Sequence, residues 1–227
     1  MRLRCWSIGI ALIAVGMAAT ASGEKKCGNA VDLFDGKSLD GWTCYLVDPN
    51  AKMEDVWTVR DGILICKGEP QGYLATKRQF KNFKLIVEWR WAPGKKPGNS
   101  GVLMRITGKP QMLPKCVEAQ LKSGSAGDIW AFHGFQLRGD ADRMKTITGH
   151  KLGGDMVGVT KKQAAENEPG QWNKYEITLK DGTLTLVVNG KEVNRATGCD
   201  VVAGPIALQS EGGEIHFRTV RLIPLGE

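Results

Sequence analysis

Apolar and polar residues alternate over short stretches of this chain. The clearest stretch is Phe83 to Trp91, in which every second residue is apolar and most of the residues between are charged. A period of two predicts a strand with one buried and one exposed face. Seven further runs are predicted to be strands: Gly62 to Cys66, Gly101 to Ile106, Val117 to Leu121, Tyr175 to Leu179, Thr183 to Val188, Ile206 to Gln209 and Glu214 to Leu222.

Short turn signals separate these runs. Asx-Gly pairs recur at Asp35-Gly36, Asp61-Gly62, Asp181-Gly182 and Asn189-Gly190, and such pairs favour tight hairpins. No long segment keeps a helical period, and 161–168 is predicted to form one or two helical turns at most. Neither a linker nor a repeat divides the sequence. The pattern predicts an all-β protein with a single jelly-roll or β-sandwich domain.

One long segment, Gly124 to Glu168, breaks the alternation. It is rich in Gly, Asp, Lys and Arg, and its periodicity is poor. We expect a rim insert, because long inserts in a sandwich usually lie over one face or rim and carry binding groups. Its aromatic residues, Trp130, Phe132 and Phe135, together with His133, indicate a packed lid more than a floppy excursion.

Polar residues share one face on several of the predicted strands. If these strands are neighbours, their polar faces form a single patch made of Glu88, Arg90, Arg105, Glu118, Gln120 and Gln209. Alternatively, these residues have no binding role and form the ordinary solvent-exposed face of a sheet. Carboxylates, guanidiniums and amides beside tryptophans are also what a sugar site needs, since they bond hydroxyls and offer an apolar face for stacking.

The N-terminus has the features of a secretory signal peptide. Arg2 and Arg4 are followed by an apolar run from Ile8 to Ala19 and by a small-x-small pattern ending at Ala21. We predict a signal peptide at 1–21, an N-terminal extension at 22–30 and a domain at 31–227. The apolar run is too short for an ordinary membrane span, although an uncleaved anchor is the alternative. The expected location is secreted or periplasmic.

The net charge and the cysteines do not change the predicted fold class or location. The formal net charge of +7 would fall to about +5 on cleavage, and the lysine pairs are scattered without a nucleic-acid motif, so no nucleic-acid partner is expected. Five cysteines would remain for up to two disulfides, unless some are simply buried thiols. Those five are Cys27, Cys44, Cys66, Cys116 and Cys199.

Six segments in order carry a family resemblance. They are Leu33 to Trp42, Trp57 to Gly62, Gly98 to Val102 with Arg105, Glu118 to Leu121, Gly170 to Asn173, and Leu208 to Gly212 with Phe217-Arg218. Together they resemble the 3-keto-disaccharide hydrolase domain family over essentially the whole mature chain. The resemblance implies a concanavalin A-like jelly roll that cleaves 3-keto-glycosides, by hydrolysis or by elimination across C1 and C2. A sugar 3-dehydrogenase of the same pathway is a possible partner.

The resemblance also suggests which residues form the site. Many relatives carry an Asp where Ser123 stands, so either Asp128 replaces it or the substrate differs. Retaining glucanases of this fold use two carboxylates about 5 to 5.5 Å apart, which the run from Glu118 to Ser123 does not supply. A 3-keto sugar needs only a base and a group that holds the enolate oxygen.

We therefore assign Glu118 or His133 as base or acid, and Arg105 or a bound cation as the enolate stabiliser. Asn99, Gln120 and Gln209 are expected to orient hydroxyls. Glu88, Arg90 and Trp130 complete the predicted substrate site. A divalent cation held by Glu118, Asp128 and His133 is considered, although their spacing matches no strong metal motif. No cofactor is certain.

The rival functions are a non-catalytic carbohydrate-binding, lectin-like module and a cell-surface scaffold domain.

Overall fold

A computed structural model of the protein describes residues 28–226. These residues form sixteen strands, which confirms the all-β prediction. The strands are β1 Val31–Asp32, β2 Trp42–Leu46, β3 Trp57–Arg60, β4 Ile63–Cys66, β5 Gly72–Thr76, β6 Phe83–Trp91, β7 Gly101–Thr107, β8 Lys115–Gln120, β9 Ile129–Ala131, β10 Met144–His150, β11 Gly154–Val159, β12 Asn173–Lys180, β13 Thr183–Val188, β14 Lys191–Ala196, β15 Ala207–Ser210 and β16 Ile215–Pro224.

The strands form two antiparallel sheets of eight strands each. Sheet 1 has the order β14-β13-β12-β6-β16-β4-β3, with β1 paired to β16. Sheet 2 has the order β10-β11-β9-β8-β7-β15-β5-β2. Both sheets combine hairpins of consecutive strands with pairs that are distant in sequence, such as β6 with β16 and β7 with β15, as in a jelly roll.

The core lies between the two sheets and follows from the alternation. Along β6, Leu85, Val87 and Trp89 are fully buried, while the residues between them point outward. Strands β7 and β8 contribute Val102, Met104, Val117 and Ala119 to the same core. Because side chains alternate, the opposite face of β7 and β8 is left to build a site.

Three of the four Asx-Gly pairs, Asp61-Gly62, Asp181-Gly182 and Asn189-Gly190, form the predicted hairpin turns. Asp35-Gly36 does not, because β1 and β2 on either side of it belong to different sheets. Asp61 and Gly62 have φ values of 53° and 74° between β3 and β4, the left-handed region that Asx-Gly pairs adopt most readily. The helical prediction is wrong, because residues 161–168 contain no helix. Among the described residues the helices are α1 Met53–Val56 and the single 3₁₀ turn Ala141–Arg143.

The insert from Gly124 to Glu168 extends a sheet. It contributes β9, β10 and β11, which pair in the order β8-β9-β11-β10 and form one end of sheet 2. Its poor periodicity has a physical cause: β10 is the edge strand, and nearly all of it is exposed. The expectation of a lid lying over a rim is therefore corrected.

The predicted signal peptide, 1–21, lies outside the described residues, and the boundary at residue 31 stays a prediction. No helix within 28–226 is long and apolar enough to cross a membrane. Of the predicted disulfide partners, Cys44, Cys66, Cys116 and Cys199 are all free thiols. Burial raises the pKa of Cys66 and of Cys199 to about 11, so these two are inert thiols packed in the interior.

Candidate active site

The candidate site lies on the outer face of sheet 2. Strand pairing places Lys145, Gly158, Trp130 and Glu118 in one row across β10, β11, β9 and β8. The neighbouring row pairs Gln120 of β8 with Gly101 of β7. Paired residues of adjacent antiparallel strands point to the same face, so the side chains of each row meet above the sheet.

A cleft of about 370 Å³ lies over these rows. Its lining residues are Asn99, Leu113, Glu118, Gln120, Lys122, Ser125, Asp128, Trp130, Phe132, Lys145, His150, Met156 and Glu211. The cleft thus combines three acidic groups with two lysines, a histidine and a tryptophan, a mixture suited to binding a polyhydroxylated ligand and moving protons.

Glu118 forms the floor of the cleft. Its side chain is almost fully buried, with 2% of the residue exposed, and its Oε1 has no hydrogen-bond partner within residues 28–226. Burial, then the nearby charges of Glu211 and Asp128, raises the pKa of the Glu118 carboxyl well above its ordinary value. Burial therefore favours the protonated form of Glu118, the form that can donate a proton.

Gly101 explains how a carboxyl group fits there. A Cβ at position 101 would collide with Oε1 of Glu118 and would lie 2.9 Å from Oε1 of Gln209. The backbone φ at Gly101 is not in the left-handed region, so space alone requires glycine. Gln209 is 0% exposed, and neither atom of its carboxamide has a partner in the described part of the chain.

Glu211 is the second carboxyl of the cleft. Burial raises its pKa to about 7, with a smaller opposing effect from Lys122. Asn99 donates a hydrogen bond of 2.7 Å from Nδ2 to the Glu211 carboxylate. Glu211 can therefore exchange a proton near neutral pH, as a general base requires.

Two glycine-rich loops hold Asn99 and Glu211 together. The Asn99 N–H donates to the carbonyl oxygen of Gly212 at 2.8 Å. A Cβ at Gly213 would lie 2.7 Å from the backbone nitrogen of Gly98, so the two backbones touch. Side chains at these positions would separate the loop before β7 from the loop after β15, and with them Asn99 from Glu211.

Trp130 supplies an aromatic platform. A Cβ on Gly158 would lie only 2.7 Å from Cζ3 of the Trp130 ring, so the ring covers the glycine on the adjacent strand. Trp130 is only partly buried and lines the cleft. Its indole is therefore available to stack against the apolar face of a sugar ring.

Gln120 and Asp128 line the cleft, and one side-chain oxygen of each accepts backbone hydrogen bonds. Oε1 of Gln120 accepts the N–H groups of Leu121 and Lys122 at 3.0 and 2.8 Å. Oδ1 of Asp128 accepts the N–H of Lys161 at 2.8 Å. Both residues face the cleft as the sequence suggested, and their functional roles stay predictions.

Arg105 does not lie in the site, which corrects its assignment as enolate stabiliser. The β7–β8 pairing is irregular between Met104 and Thr107, and Arg105 adopts a φ of 55° there. Its guanidinium is fully buried and donates to the carbonyl oxygens of Lys81, Asp181 and Asp200. Arg105 cross-links loops at the end of the sandwich. A period-two pattern cannot reveal a bulge that redirects a side chain.

Glu88 and Arg90 belong to sheet 1, so the prediction of one continuous polar patch is wrong for them. Both point outward from β6. Glu88 accepts hydrogen bonds from Arg218 at 3.0 Å and Thr219 at 2.7 Å. The guanidinium of Arg90 lies 4.5 Å from the centroid of Trp172. These contacts stabilise the outer surface of the other sheet, away from the cleft.

His133 is likewise outside the cleft lining, which corrects its assignment as base, acid or metal ligand in this cleft. Its Nε2 lies 2.8 Å from the carbonyl oxygen of Leu113 and 3.1 Å from that of Leu152, so the ring braces two loops. The proposed cation set of Glu118, Asp128 and His133 does not assemble. Within residues 28–226 no three His, Cys, Asp or Glu side chains converge as a metal site.

The sequence predictions did not select Glu211, Lys122, Lys145 or His150, which all line the cleft. Glu211 follows the polar face of β15, and its place in the Gln209-Ser210-Glu211 run was an available signal. Lys145 and His150 lie on exposed β10, which lacks a pattern that would mark it as a strand.

A second cleft of about 700 Å³ lies on the same face, over β2 and β5. Tyr45 and Tyr73 stack there with ring centroids 5.4 Å apart. Although this cleft is larger, no charged side chain lines it. It therefore offers no group for proton transfer at neutral pH, and the smaller, charged cleft is the candidate active site.

The fold is the concanavalin A-like jelly roll of glucanases. A β-glucanase of Bacillus licheniformis matches with a TM-score of 0.56 at 12% identity, covering 86% of this chain and 98% of that one. A Parabacteroides distasonis protein, provisionally described as a glycosyl hydrolase, matches with a TM-score of 0.62 at 20% identity, covering 87% and 94%. These similarities confirm the fold.

The sequence itself gives the family. The 3-keto-alpha-glucoside-1,2-lyase-like domain model matches residues 29–223, and the chain belongs to that family. A curated 3-keto-disaccharide hydrolase of Bacteroides thetaiotaomicron is 28% identical over 176 residues, which cover 72% of this chain. The match spans 57% of the length of that relative. The family resemblance read from the six segments is confirmed.

Proposed function

We propose that this protein cleaves 3-keto-glycosides in the charged cleft of sheet 2, using Glu211 as general base and Glu118 as general acid. The observation that carries the proposal is the pair of buried carboxyl groups whose pKa values are both raised, to about 7 for Glu211 and well above the ordinary range for Glu118. Family membership supports the 3-keto substrate class.

The chemistry follows from the ketone at C3. The ketone acidifies the C2 hydrogen, so a carboxylate base takes that proton and its electron pair forms the C2=C3 enolate. The enolate then re-forms the ketone, a C1=C2 double bond forms, and the bond from C1 to the leaving oxygen breaks. A carboxylic acid donates a proton to that oxygen. No water is consumed in this elimination; later addition of water across C1=C2 gives the net result of hydrolysis.

The environments of the two carboxyl groups fit these roles. A base must be substantially ionised near neutral pH, which a pKa of about 7 allows for Glu211. An acid must carry its proton, and burial of Glu118 favours the neutral form of its carboxyl group. Pairs of carboxyl groups pushed to different pKa values are how one site runs acid and base chemistry together.

Binding is proposed to place the sugar on Trp130. The ring over Gly158 offers a flat apolar surface beside Glu118 in the same row of paired strands. Gln120 and Asp128 line the cleft and are proposed to contact hydroxyls. We place Gln209, which is fully buried and outside the cleft lining, behind Glu118 and not against the sugar.

The test uses the 3-keto derivative of 4-nitrophenyl glucoside, with nitrophenol release and enone absorbance measured in parallel. We expect cleavage by the wild type and at least a 100-fold loss of kcat in Glu118→Gln and Glu211→Gln. Glu54→Gln, which changes an exposed carboxyl away from the cleft, is the matched control. Cleavage at full rate by both site variants would contradict the proposal. Binding of the sugar without any turnover would favour a lectin-like module.

Export and the reaction that supplies the substrate are also proposed. The N-terminal Arg2 to Ala21 pattern supports export to the periplasm or the exterior. Because the substrate carries a ketone at C3, a dehydrogenase that oxidises the C3 hydroxyl of a glycoside must act before this protein. N-terminal sequencing of the exported protein tests the first point, since cleavage after Ala21 predicts Ser22 as the first residue.

A further inference from the structure

We propose that Lys145 is a catalytic residue whose ammonium group stabilises the enolate oxygen at C3. The inference rests on the proposed 3-keto-glycoside cleavage and names a residue for a step to which neither Glu118 nor Glu211 has been assigned. Negative charge develops on O3 when the C2 proton leaves, while Glu211 is assigned to the C2 proton and Glu118 to the leaving oxygen at C1. The site therefore needs a cation or a set of donors aimed at that oxygen.

The strand register places Lys145 and Glu118 on opposite sides of Trp130. Lys145 of β10 pairs with Gly158 of β11, and Gly158 pairs with Trp130 of β9, which in turn pairs with Glu118. At about 4.8 Å between strands, the Lys145 backbone lies about 10 Å from that of Trp130 and about 14 Å from that of Glu118. A pyranose stacked on Trp130 then has a carboxyl group at one side and Lys145 at the other.

The flexible side chain of Lys145 can cover the remaining distance. Lysine carries its charge on a four-carbon stem, and Lys145 itself lines the cleft. Gly158 has no side chain between Lys145 and Trp130, so only the indole ring occupies the space above it. The ammonium group can therefore reach the edge of a ring bound on Trp130.

The other basic side chains in or near the site are less suitable than Lys145 for stabilising the enolate oxygen. The guanidinium of Arg105 is buried among carbonyl oxygens at the end of the sandwich. Lys122 interacts electrostatically with Glu211 and lowers the pKa of that carboxyl. His150 accepts the Gly153 N–H at Nδ1, which fixes its ring toward its own hairpin. Lys145 has no ion-pair or hydrogen-bond partner for its ammonium group among the residues that the structure describes.

The experiment compares Lys145→Met and Lys145→Arg with Lys122→Met and with Lys151→Met, an exposed lysine on the same hairpin that does not line the cleft. Two reactions are measured: cleavage of a 3-keto-glucoside, and exchange of the C2 hydrogen of 3-keto-glucose with deuterium, followed by NMR. Exchange requires the enolate but no leaving group. Because Lys145 is exposed, unfolding in urea should be the same in all variants.

We expect Lys145→Met to lower kcat and the exchange rate about 100-fold, as loss of an oxyanion-stabilising group does, while KM changes little. Lys145→Arg should restore part of both rates, because the positive charge returns, and Lys151→Met should behave as wild type. Wild-type rates in Lys145→Met, or the same loss in Lys122→Met alone, would overturn the role of Lys145. Absence of both cleavage and exchange in the wild type would instead overturn the proposed function.

Discussion

The indole ring of Trp130 lies over Gly158, the residue paired with it on the next strand. The glycine makes the platform possible, because any side chain at position 158 would occupy the space that the ring now fills. The φ of Gly158 is not in the left-handed region, so the position needs glycine for space and not for backbone freedom. A change there should alter the binding surface more than the fold.

The first prediction concerns this platform. In Gly158→Ala the new Cβ would lie 2.7 Å from the Trp130 ring and push it out of position. We expect KM for the 3-keto-glucoside to rise about fivefold, since a stacked aromatic contact contributes about 1 kcal/mol. Gly182→Ala is the matched control, because a Cβ there has no neighbour closer than 3.6 Å. Equal KM values for the two variants would contradict the platform.

The second prediction concerns Gly101 and Glu118. Gly101→Ala places a methyl group against Oε1 of Glu118 and must move the carboxyl group. We expect kcat to fall by at least 10-fold, because a misplaced acid loses its alignment with the leaving oxygen. Steady-state kinetics measure this effect, and thermal unfolding shows whether the fold survives. A variant that stays folded and keeps its wild-type kcat would show that the position of Glu118 is not critical.

The third prediction is the pH dependence of activity. If Glu211 is the base, kcat/KM should rise as pH increases through about 7 and then level, because the carboxyl group must be ionised to accept the C2 proton. A falling limb at higher pH is expected where Glu118 loses its proton. The pH–rate profile of the wild type measures both limbs. A rate that is constant from about pH 5 to about pH 8 would exclude Glu211 as the base.

The same pKa shift predicts how stability changes with pH. The native state holds a proton on Glu211 up to about pH 7, whereas the unfolded chain releases it near pH 4.3. Between these values the native state binds more protons, so the free energy of unfolding should fall as pH rises and become constant above about pH 7. Urea unfolding of Glu211→Gln should show a weaker pH dependence than wild type, and Glu54→Gln should not.

A further prediction concerns the structural role of Arg105. Arg105→Met leaves several buried carbonyl oxygens without donors, so we expect the free energy of unfolding to fall by at least about 3 kcal/mol. Arg105→Lys should recover little of this, since one ammonium group cannot reproduce the planar fork of guanidinium donors. Urea denaturation measures both, with exposed Arg138→Met as the control. A stable Arg105→Met protein with reduced kcat would return Arg105 to the active site.

Two strands whose faces differ in burial were predicted with their exact bounds. Strands β6 and β13 have the predicted bounds, because burial against the other sheet imposes strict alternation on Phe83–Trp91 and Thr183–Val188. Strands β5 and β10 were missed for opposite reasons. All of Gly72–Thr76 is buried on both faces, while Met144–His150 is an exposed edge, so neither shows a period of two.

The sequence by itself determined the sandwich, the family and the position of Glu118 on the polar face of β8. Local alternation and turn chemistry carry that information along the chain. Only the tertiary structure decided which polar faces meet. It placed Glu88 on the other sheet, turned Arg105 away at a bulge, and brought Glu211 and Lys145 into the same cleft as Glu118. Strand order and register are set by pairing between segments far apart in sequence, and no local pattern records them.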